Sequence, residues 1–282
     1  MGEKTGHLER TAREPREKEL IDVELSQVTQ VNDRVRLLRL SLPAPIKVLA
    51  GQWLDTYVPD TRGAGGFTIT SPPSTAASPQ DPYFELAVQK SPDNPHAAWI
   101  WQPPEEILNH KLQVRVGGSF VYPPGADFED VKRVVLVGGG VGVNPLVSMM
   151  GEMADRRDDL EVDVLYGSKL PGGTLQEVLF LDRIAQMFRG GRLRGSVNVF
   201  LTETGDSTLG EIPEWLQSPS IALRKGRMSV QQVKNAIGKG DSNETIVYIC
   251  GPPAMTDGLA AAVSQQDDGV IEARRVMTEK WW

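Results

Sequence analysis

The chain has 282 residues, 40% of them hydrophobic, one cysteine and a formal net charge of −7. That length suits two ordinary domains or one large one, and the acidic balance argues against general nucleic-acid binding. A single cysteine excludes a disulfide framework and an intrachain four-cysteine cluster, three scattered histidines (His7, His96, His110) argue against a metal or haem site, and no apolar run approaches the ~20 residues of a membrane-spanning helix.

Residues 1–18 mix acids and bases and read as a solvated polar tail. Their acids (Glu3, Glu9, Glu14, Glu17) are unlike a mitochondrial transit peptide, which is poor in acids. A mature mitochondrial form would read the same, so cytoplasm and mitochondrion both stay open. From 19 to 128 the pattern is short alternating strands broken by Pro and Gly: 23–28, 35–42, 51–58, 83–88 and 111–116. Strands at that density predict a small antiparallel barrel, interrupted by one helix from Pro95 to Trp101. From 129 to 282 strand-like and helical runs alternate. Strands are expected at 134–137, 161–166, 197–201 and 246–250, and helices to about 154 and over 176–188, 229–237 and 254–263. Alternation of this kind calls for a parallel sheet covered by helices. Residues 204–225 carry Gly and Pro and read as an irregular loop.

Two stretches in the second half carry chemistry. The β-branched run 133–137 leads into Gly138-Gly139-Gly140-Val141-Gly142-Val143-Asn144-Pro145 and then an amphipathic segment. A strand, a glycine turn and a helix make a phosphate site, because glycines admit a pyrophosphate and a helix N-terminus offers free N–H groups. Asn144 is placed to cap that helix and Pro145 to begin it. The spacing departs from the Rossmann fingerprint, since Val143 stands where a third glycine belongs, and no Gly-Lys-Ser/Thr makes it a P-loop. The second stretch, Cys250-Gly251-Pro252-Pro253-Ala254-Met255, follows the strand 245–249. Its prolines stop the strand abruptly, which leaves a thiol at the carboxyl end, where open α/β sheets bind ligands.

With these residues placed, the chain resembles the ferredoxin–NADP reductase superfamily of flavin reductases and, more narrowly, the oxidoreductase NAD-binding domain-containing protein 1 group. The resemblance covers nearly everything from Leu20 onward. Four landmarks carry it, in order: Gly66-Phe67-Thr68-Ile69-Thr70-Ser71, Gly138 to Pro145, Cys250 to Met255, and the ending Glu279-Lys280-Trp281-Trp282. It implies an N-terminal antiparallel flavin-binding β-barrel followed by a C-terminal parallel-sheet nucleotide-binding domain, with FAD and NAD(P)H as cofactors.

In the barrel, the resemblance implies that Phe67 stacks on the isoalloxazine and that the Thr68 hydroxyl bonds its N5, with Ile69, Thr70 and Ser71 alongside. The family arginine that meets the flavin phosphate is replaced by Gly65, and Arg62 is out of register. His96, Ala97, Ala98 and Trp99 stand at the family's second flavin element, where small residues at a helix start admit a pyrophosphate against bare N–H groups. An ordinary barrel strand would also account for 67–70.

For the nicotinamide dinucleotide, the resemblance implies that Gly138 through Pro145 hold the pyrophosphate. Cys250, with Gly251, Pro252 and Met255, would stand beside the nicotinamide C4, positioning it without forming a bond. A buried strand-end cysteine is the plain alternative. Tyr166, Gly167 and Ser168 end the next strand and would meet the adenosine half; Lys169 beside them reads equally as a surface charge. Glu279 would serve in proton traffic. Trp282, or Trp281, would cover the flavin face; both tryptophans anchoring the tail is the alternative. The implied activity passes a hydride from NAD(P)H to FAD and electrons to a separate acceptor, protein or small molecule. A non-catalytic flavin- or nucleotide-binding subunit of the same fold is the second reading. NADH against NADPH stays open: acids at Glu203 and Asp206 favour NADH, and Arg224, Lys225 and Arg227 favour NADPH.

Overall fold

The computed structural model of the protein describes residues 6–125, 128, 130–157, 159–170, 174–203, 212–264 and 269–280. The chain divides into two compact units, Met1–Pro123 and Pro124–Trp282. A boundary at 128/129 is expected from the change in sequence texture; the division between the units falls earlier, between two prolines.

The first unit contains α1 (His7–Arg10), β1 (Ile21–Gln30), β2 (Val35–Ser41), β3 (Trp53–Tyr57), β4 (Gly65–Thr68), α2 (Pro73–Ala76), β5 (Tyr83–Gln89), α3 (Pro95–Ile100), α4 (Pro104–Ile107) and β6 (Lys111–Gly117). The strands form one antiparallel sheet in the order β4-β3-β6-β1-β2-β5. An antiparallel bridge between Ile69 and Leu86 joins its two ends. The sheet thus closes on itself, which leaves little bare edge. Alternate residues point inward: Val23 and Leu25, Leu38 and Leu40, Leu54, Phe84, Leu86 and Val88, Leu112, Val114 and Val116 form one core. The α3 helix adds Ala97, Trp99 and Ile100 to that core. The Arg36 guanidinium ends α3 by donating to the carbonyls of Ile100 (3.1 Å) and Gln102 (2.7 Å).

Residues 6–18, expected as a solvated arm, instead reach back onto the barrel. The reason is Asp55, which sits on β3 with a fully buried side chain. A buried carboxylate costs several kcal/mol unless it is paired. Three donors from outside β3 meet it: His7 Nε2 (2.9 Å), Arg16 Nε (2.9 Å) and Arg115 Nη2 (2.7 Å). His7 packs edge-on against Trp53 at 4.8 Å, and the Arg16 guanidinium lies 4.9 Å from the same ring. Burial alone would raise the Asp55 pKa, but hydrogen bonds from His7, Arg115 and Arg16 outweigh it and bring it down to about 2. An unfolded aspartate titrates near ~3.9. Asp55 therefore stabilises the fold above that pH and loses its contribution as pH falls toward the folded value. We expect on the order of 2 kcal/mol of stability to disappear between about pH 5 and pH 2 through this group. Urea unfolding as a function of pH checks it: Asp55→Asn should flatten that part of the profile, and an identical profile would remove Asp55 from the account.

The second unit contains β7 (Arg133–Gly139), α5 (Val143–Arg156), β8 (Glu161–Lys169), α6 (Leu181–Arg189), β9 (Arg194–Thr202), β10 (Ile221–Lys225), α7 (Val230–Ile237), β11 (Thr245–Gly251), α8 (Pro253–Ser264) and β12 (Val276–Lys280). All six strands run parallel, in the order β10-β9-β8-β7-β11-β12. Central strands buried on both faces need continuous apolar runs, which is what β7 and β11 supply. On one face Val233, Ala236 and Ile237 of α7 and Leu259 and Val263 of α8 pack against Val135, Val137, Val247 and Ile249. Ser229 begins α7 with a capping box, its hydroxyl and the Gln232 side chain each serving the other's backbone.

In this unit three elements differ from expectation. The helix predicted over 176–188 begins only at Leu181, because Phe180 adopts a left-handed φ of 59°. Val178, Leu179, Phe180 and Leu181 are all buried, and a helix cannot turn four successive side chains inward. The end of the supposed loop 204–225 is the edge strand β10. The C-terminal segment adds β12, whose register sets Cys250 beside Glu279. Residues 204–211 of the loop lie outside the described residues.

Candidate functional site

The parallel sheet reverses its order between β7 and β11: the chain builds outward from β7 through β8, β9 and β10, then returns to β11 on the other side. Ligands of open α/β sheets bind at the carboxyl ends of strands at such a point. Both motifs of the second half end there. Cys250 stands in register with Gly138, so the two loops leave the sheet side by side.

The glycines of the first loop serve different needs. Gly140 has a φ of +56° and open space where a Cβ would point. At Gly142 a Cβ would lie 2.5 Å from the carbonyl carbon of Cys250 and 2.8 Å from Gly251 Cα. The turn is thus pressed against the end of β11. At Gly139 a Cβ would meet Met255 Sδ at 2.7 Å, so Met255 packs across the first loop. Thr256 Oγ1 donates to the Gly251 carbonyl at 3.2 Å and holds the second loop to α8. Val141 lies in the 3-10 turn and Val143 begins α5.

Asn144 does not cap α5, as the sequence suggests. Gly142 occupies the cap position, no side chain bonds there, and Asn144 and Pro145 are the second and third helical residues, both buried. The helix therefore begins at the turning point of the sheet on a glycine, which brings no capping side chain to its first N–H groups. That is the arrangement in which a 14-residue helix offers N–H groups and partial positive charge to an anion.

Around this loop, Cys250 is completely buried, between Gly138 of β7 and Glu279 of β12. Tyr166 and Gly167 on β8 stand in register with Gly138 and Gly139. Tyr166 is buried, and burial pushes its phenol pKa up. Ser168 Oγ donates to the Lys169 carbonyl at 2.8 Å, and Lys169 Nζ pairs with Glu203 at 2.6 Å. Trp281 and Trp282 lie outside the described residues.

The barrel places its own candidates on and beside β4. Thr68 is opposite Trp53 and only 1% exposed. Its Oγ1 is buried and has no hydrogen-bond partner among the described residues. The neighbouring hydroxyls are used structurally: Thr70 Oγ1 donates to the Glu85 carboxylate at 2.8 Å, and Ser71 Oγ accepts from the Glu85 N–H at 3.1 Å. Ile69 is a core residue. Phe67 is one too: its position opposite Leu54 turns it into the barrel, and its ring lies over Gly65 beside His96. The stacking surface expected of Phe67 is thus a core side chain here. The N–H groups expected to be bare at α3 are not, since Asn94 Oδ1 accepts from His96 N (3.1 Å) and Ala97 N (3.3 Å). Ala97 and Trp99 are buried, Trp99 edge-on to His110 at 5.8 Å, and Ala98 is exposed.

No protein-family model matches the chain. It is 32% identical over 288 residues to oxidoreductase NAD-binding domain-containing protein 1 of Danio rerio, an alignment covering 99% of this chain and 98% of that protein. The chain belongs to the oxidoreductase NAD-binding domain-containing protein 1 family. The Homo sapiens member is 29% identical over 290 residues, 99% of this chain and 85% of its own length. Among solved structures, a ferredoxin NADP+ reductase from Neisseria gonorrhoeae with bound FAD and NADP aligns with a TM-score of 0.69 at 16% identity, over 94% of this chain and 100% of that one. The fold of this family member is therefore that of the ferredoxin–NADP reductases, an antiparallel barrel unit and a parallel-sheet unit.

One residue, His7, and one placement, that of Glu279, escaped sequence reasoning. His7 is drawn to the barrel by Asp55, far from it in sequence, and nothing in 1–18 signals that. The placement of Glu279 beside Cys250 rests on β12, whose short alternating run was legible but overshadowed by the tryptophans after it. Among the described residues no cluster of His, Cys, Asp and Glu could hold a metal ion, and no helix is long and apolar enough to cross a membrane.

Proposed function

We propose that the protein is a flavin-dependent reductase that takes reducing equivalents from NAD(P)H and passes electrons to a separate acceptor. The observation that carries this reading is the Thr68 hydroxyl, buried on a barrel strand without a hydrogen-bond partner among the described residues. A plain nucleotide-dependent dehydrogenase would leave that group and the barrel unused. The residues also fit the dinucleotide: α5 begins on a glycine cap at the turning point of its sheet, and Gly140 leaves open space where a Cβ would point. When bound, the two cofactors supply the redox chemistry, a hydride moving from the nicotinamide to the flavin N5.

The chain's own residues bind and orient. Thr68 Oγ1 offers a hydrogen bond at N5, and the first N–H groups of α5 meet the dinucleotide pyrophosphate. Cys250, held between Gly138 and Glu279, packs at the nicotinamide end of the loop, and Glu279 holds a carboxylate there for proton movement. Gly167 and Ser168 border the adenosine end. Lys169 is neutralised by Glu203 at that edge, which removes one cation a 2′-phosphate would need.

We expect anaerobic NADH to bleach the FAD-loaded protein faster than NADPH, by about tenfold, equivalent to ~1.4 kcal/mol. Glu203→Gln should narrow that ratio. The second reading, a non-catalytic nucleotide-binding subunit, is favoured by Asn94, whose side chain occupies the α3 N–H groups a flavin phosphate would use. Bound flavin that neither nucleotide bleaches would select the subunit and end the reductase reading.

A further inference from the structure

One thioether clasps the ends of two central strands. Gly139 closes β7 and Gly251 closes β11, and the two backbones touch there, since a Cβ on Gly251 would lie 3.4 Å from Gly139 Cα. Met255 lies on both. A Cβ on Gly139 would meet its Sδ at 2.7 Å and its Cε at 2.9 Å, and a Cβ on Gly251 would collide with the same Cε. Met255 is the third residue of α8, so a single side chain ties the glycine loop, the cysteine loop and the helix that follows.

An unbranched thioether suits that task, being slim, flexible and polarisable enough to lie on bare backbone. Its weakness is chemical, because sulfur accepts an oxygen where a hydrocarbon does not. Met149, Met150, Met153 and Met187 are shielded, each at most 4% exposed. Met255 is not: with Met228 and Met277 it is one of the partly exposed methionines among the described residues. Met228 packs elsewhere, its Cε 3.9 Å from where a Cβ on Gly167 of β8 would lie. A small oxidant can therefore reach, from solvent, the side chain that holds the two loops together.

We propose that Met255 is an oxidation site that controls the dinucleotide loops: hydrogen peroxide converts its thioether to the sulfoxide, and the clasp opens. The sulfur gives two electrons to the peroxide. The O–O bond breaks, one oxygen bonds to sulfur, and the other leaves as water with both protons. The space over Gly139 and Gly251 is already filled to contact, and the sulfoxide is both bulkier and polar, so it turns toward water and leaves the two glycines uncovered. The proposal rests on the reductase reading above, to which it adds a brake. Dioxygen that takes two electrons and two protons from reduced flavin becomes hydrogen peroxide, and the peroxide then weakens the hold on the hydride donor.

The test treats the full chain with hydrogen peroxide, removes the excess with catalase, and locates the added oxygen by peptide mass spectrometry. Calorimetry then gives NADH and NADPH affinity, each sample set against its own untreated protein. Wild type should lose about tenfold in affinity as Met255 sulfoxide accumulates. Methionine sulfoxide reductases for both epimers should restore it, which they cannot do for an oxidised Cys250. Met255→Leu should show no peroxide-dependent loss, whatever its starting affinity, while Met228→Leu and Met277→Leu should lose as wild type does. If Met255→Leu binds too weakly to measure, reversal by the reductases in wild type decides alone. Met255 that stays unoxidised, full affinity once it is oxidised, or a loss that survives in Met255→Leu overturns the proposal and leaves the reductase reading intact. Untreated wild type that binds neither nucleotide overturns both.

Discussion

Thr68→Val should slow flavin reduction by NADH about 100-fold while the flavin stays bound. The two side chains have nearly the same shape, so the change removes one hydroxyl and little else. In the ligand-free protein that hydroxyl is buried without a partner among the described residues, a state that costs ~1–3 kcal/mol. The variant without ligand should therefore be as stable as the parent or more so, by up to about 1 kcal/mol. Loss of rate with no loss of stability is a pairing that a structural role for Thr68 cannot produce. Stopped-flow bleaching and thermal melts on the same preparation measure both. An unchanged rate would detach Thr68 from the flavin N5.

Gly142→Ala should be the most damaging single change in the parallel-sheet unit. Its Cβ would lie 2.5 Å from the Cys250 carbonyl carbon and 2.8 Å from Gly251 Cα. Both are backbone atoms of a central strand, so neither can swing aside as a flexible side chain would. The start of α5 must move away from the end of β11, which opens the one place where both loops meet. We expect a cost of about 2–3 kcal/mol in urea unfolding and a loss of about 100-fold in dinucleotide affinity by calorimetry, some ~2.7 kcal/mol. Gly258→Ala on α8 is the control. Nothing lies within 4 Å of its added methyl, and alanine should stabilise that helix by up to about 1 kcal/mol. Full dinucleotide affinity in Gly142→Ala would mean that the loop does not hold the ligand.

Most of the fold was legible because the two units use different periods. Alternation at 23–28, 83–88 and 111–116 can only suit a half-buried strand, and the apolar runs at 134–137 and 246–250 suit strands covered on both faces. The two motifs of the second half could be placed at strand ends for the same reason: glycine and proline stop a ladder wherever they fall. Edge strands were harder. Neither β10 nor β12 is covered on both sides, so neither carries a strong apolar signature.

The sequence by itself determined the order of the two units and the position of both loops at the sheet's carboxyl edge. These follow from local chemistry, namely side-chain period, strand termination and backbone freedom. Only the tertiary structure decided that Phe67 faces the core, that Asn94 occupies the α3 N–H groups, that Glu279 lies beside Cys250, and that His7 crosses from the N-terminal arm to Gly66. Each of those depends on which distant segment satisfies a buried group. Asp55 draws in a histidine 48 residues away because a buried charge must be paired, whatever the separation along the chain.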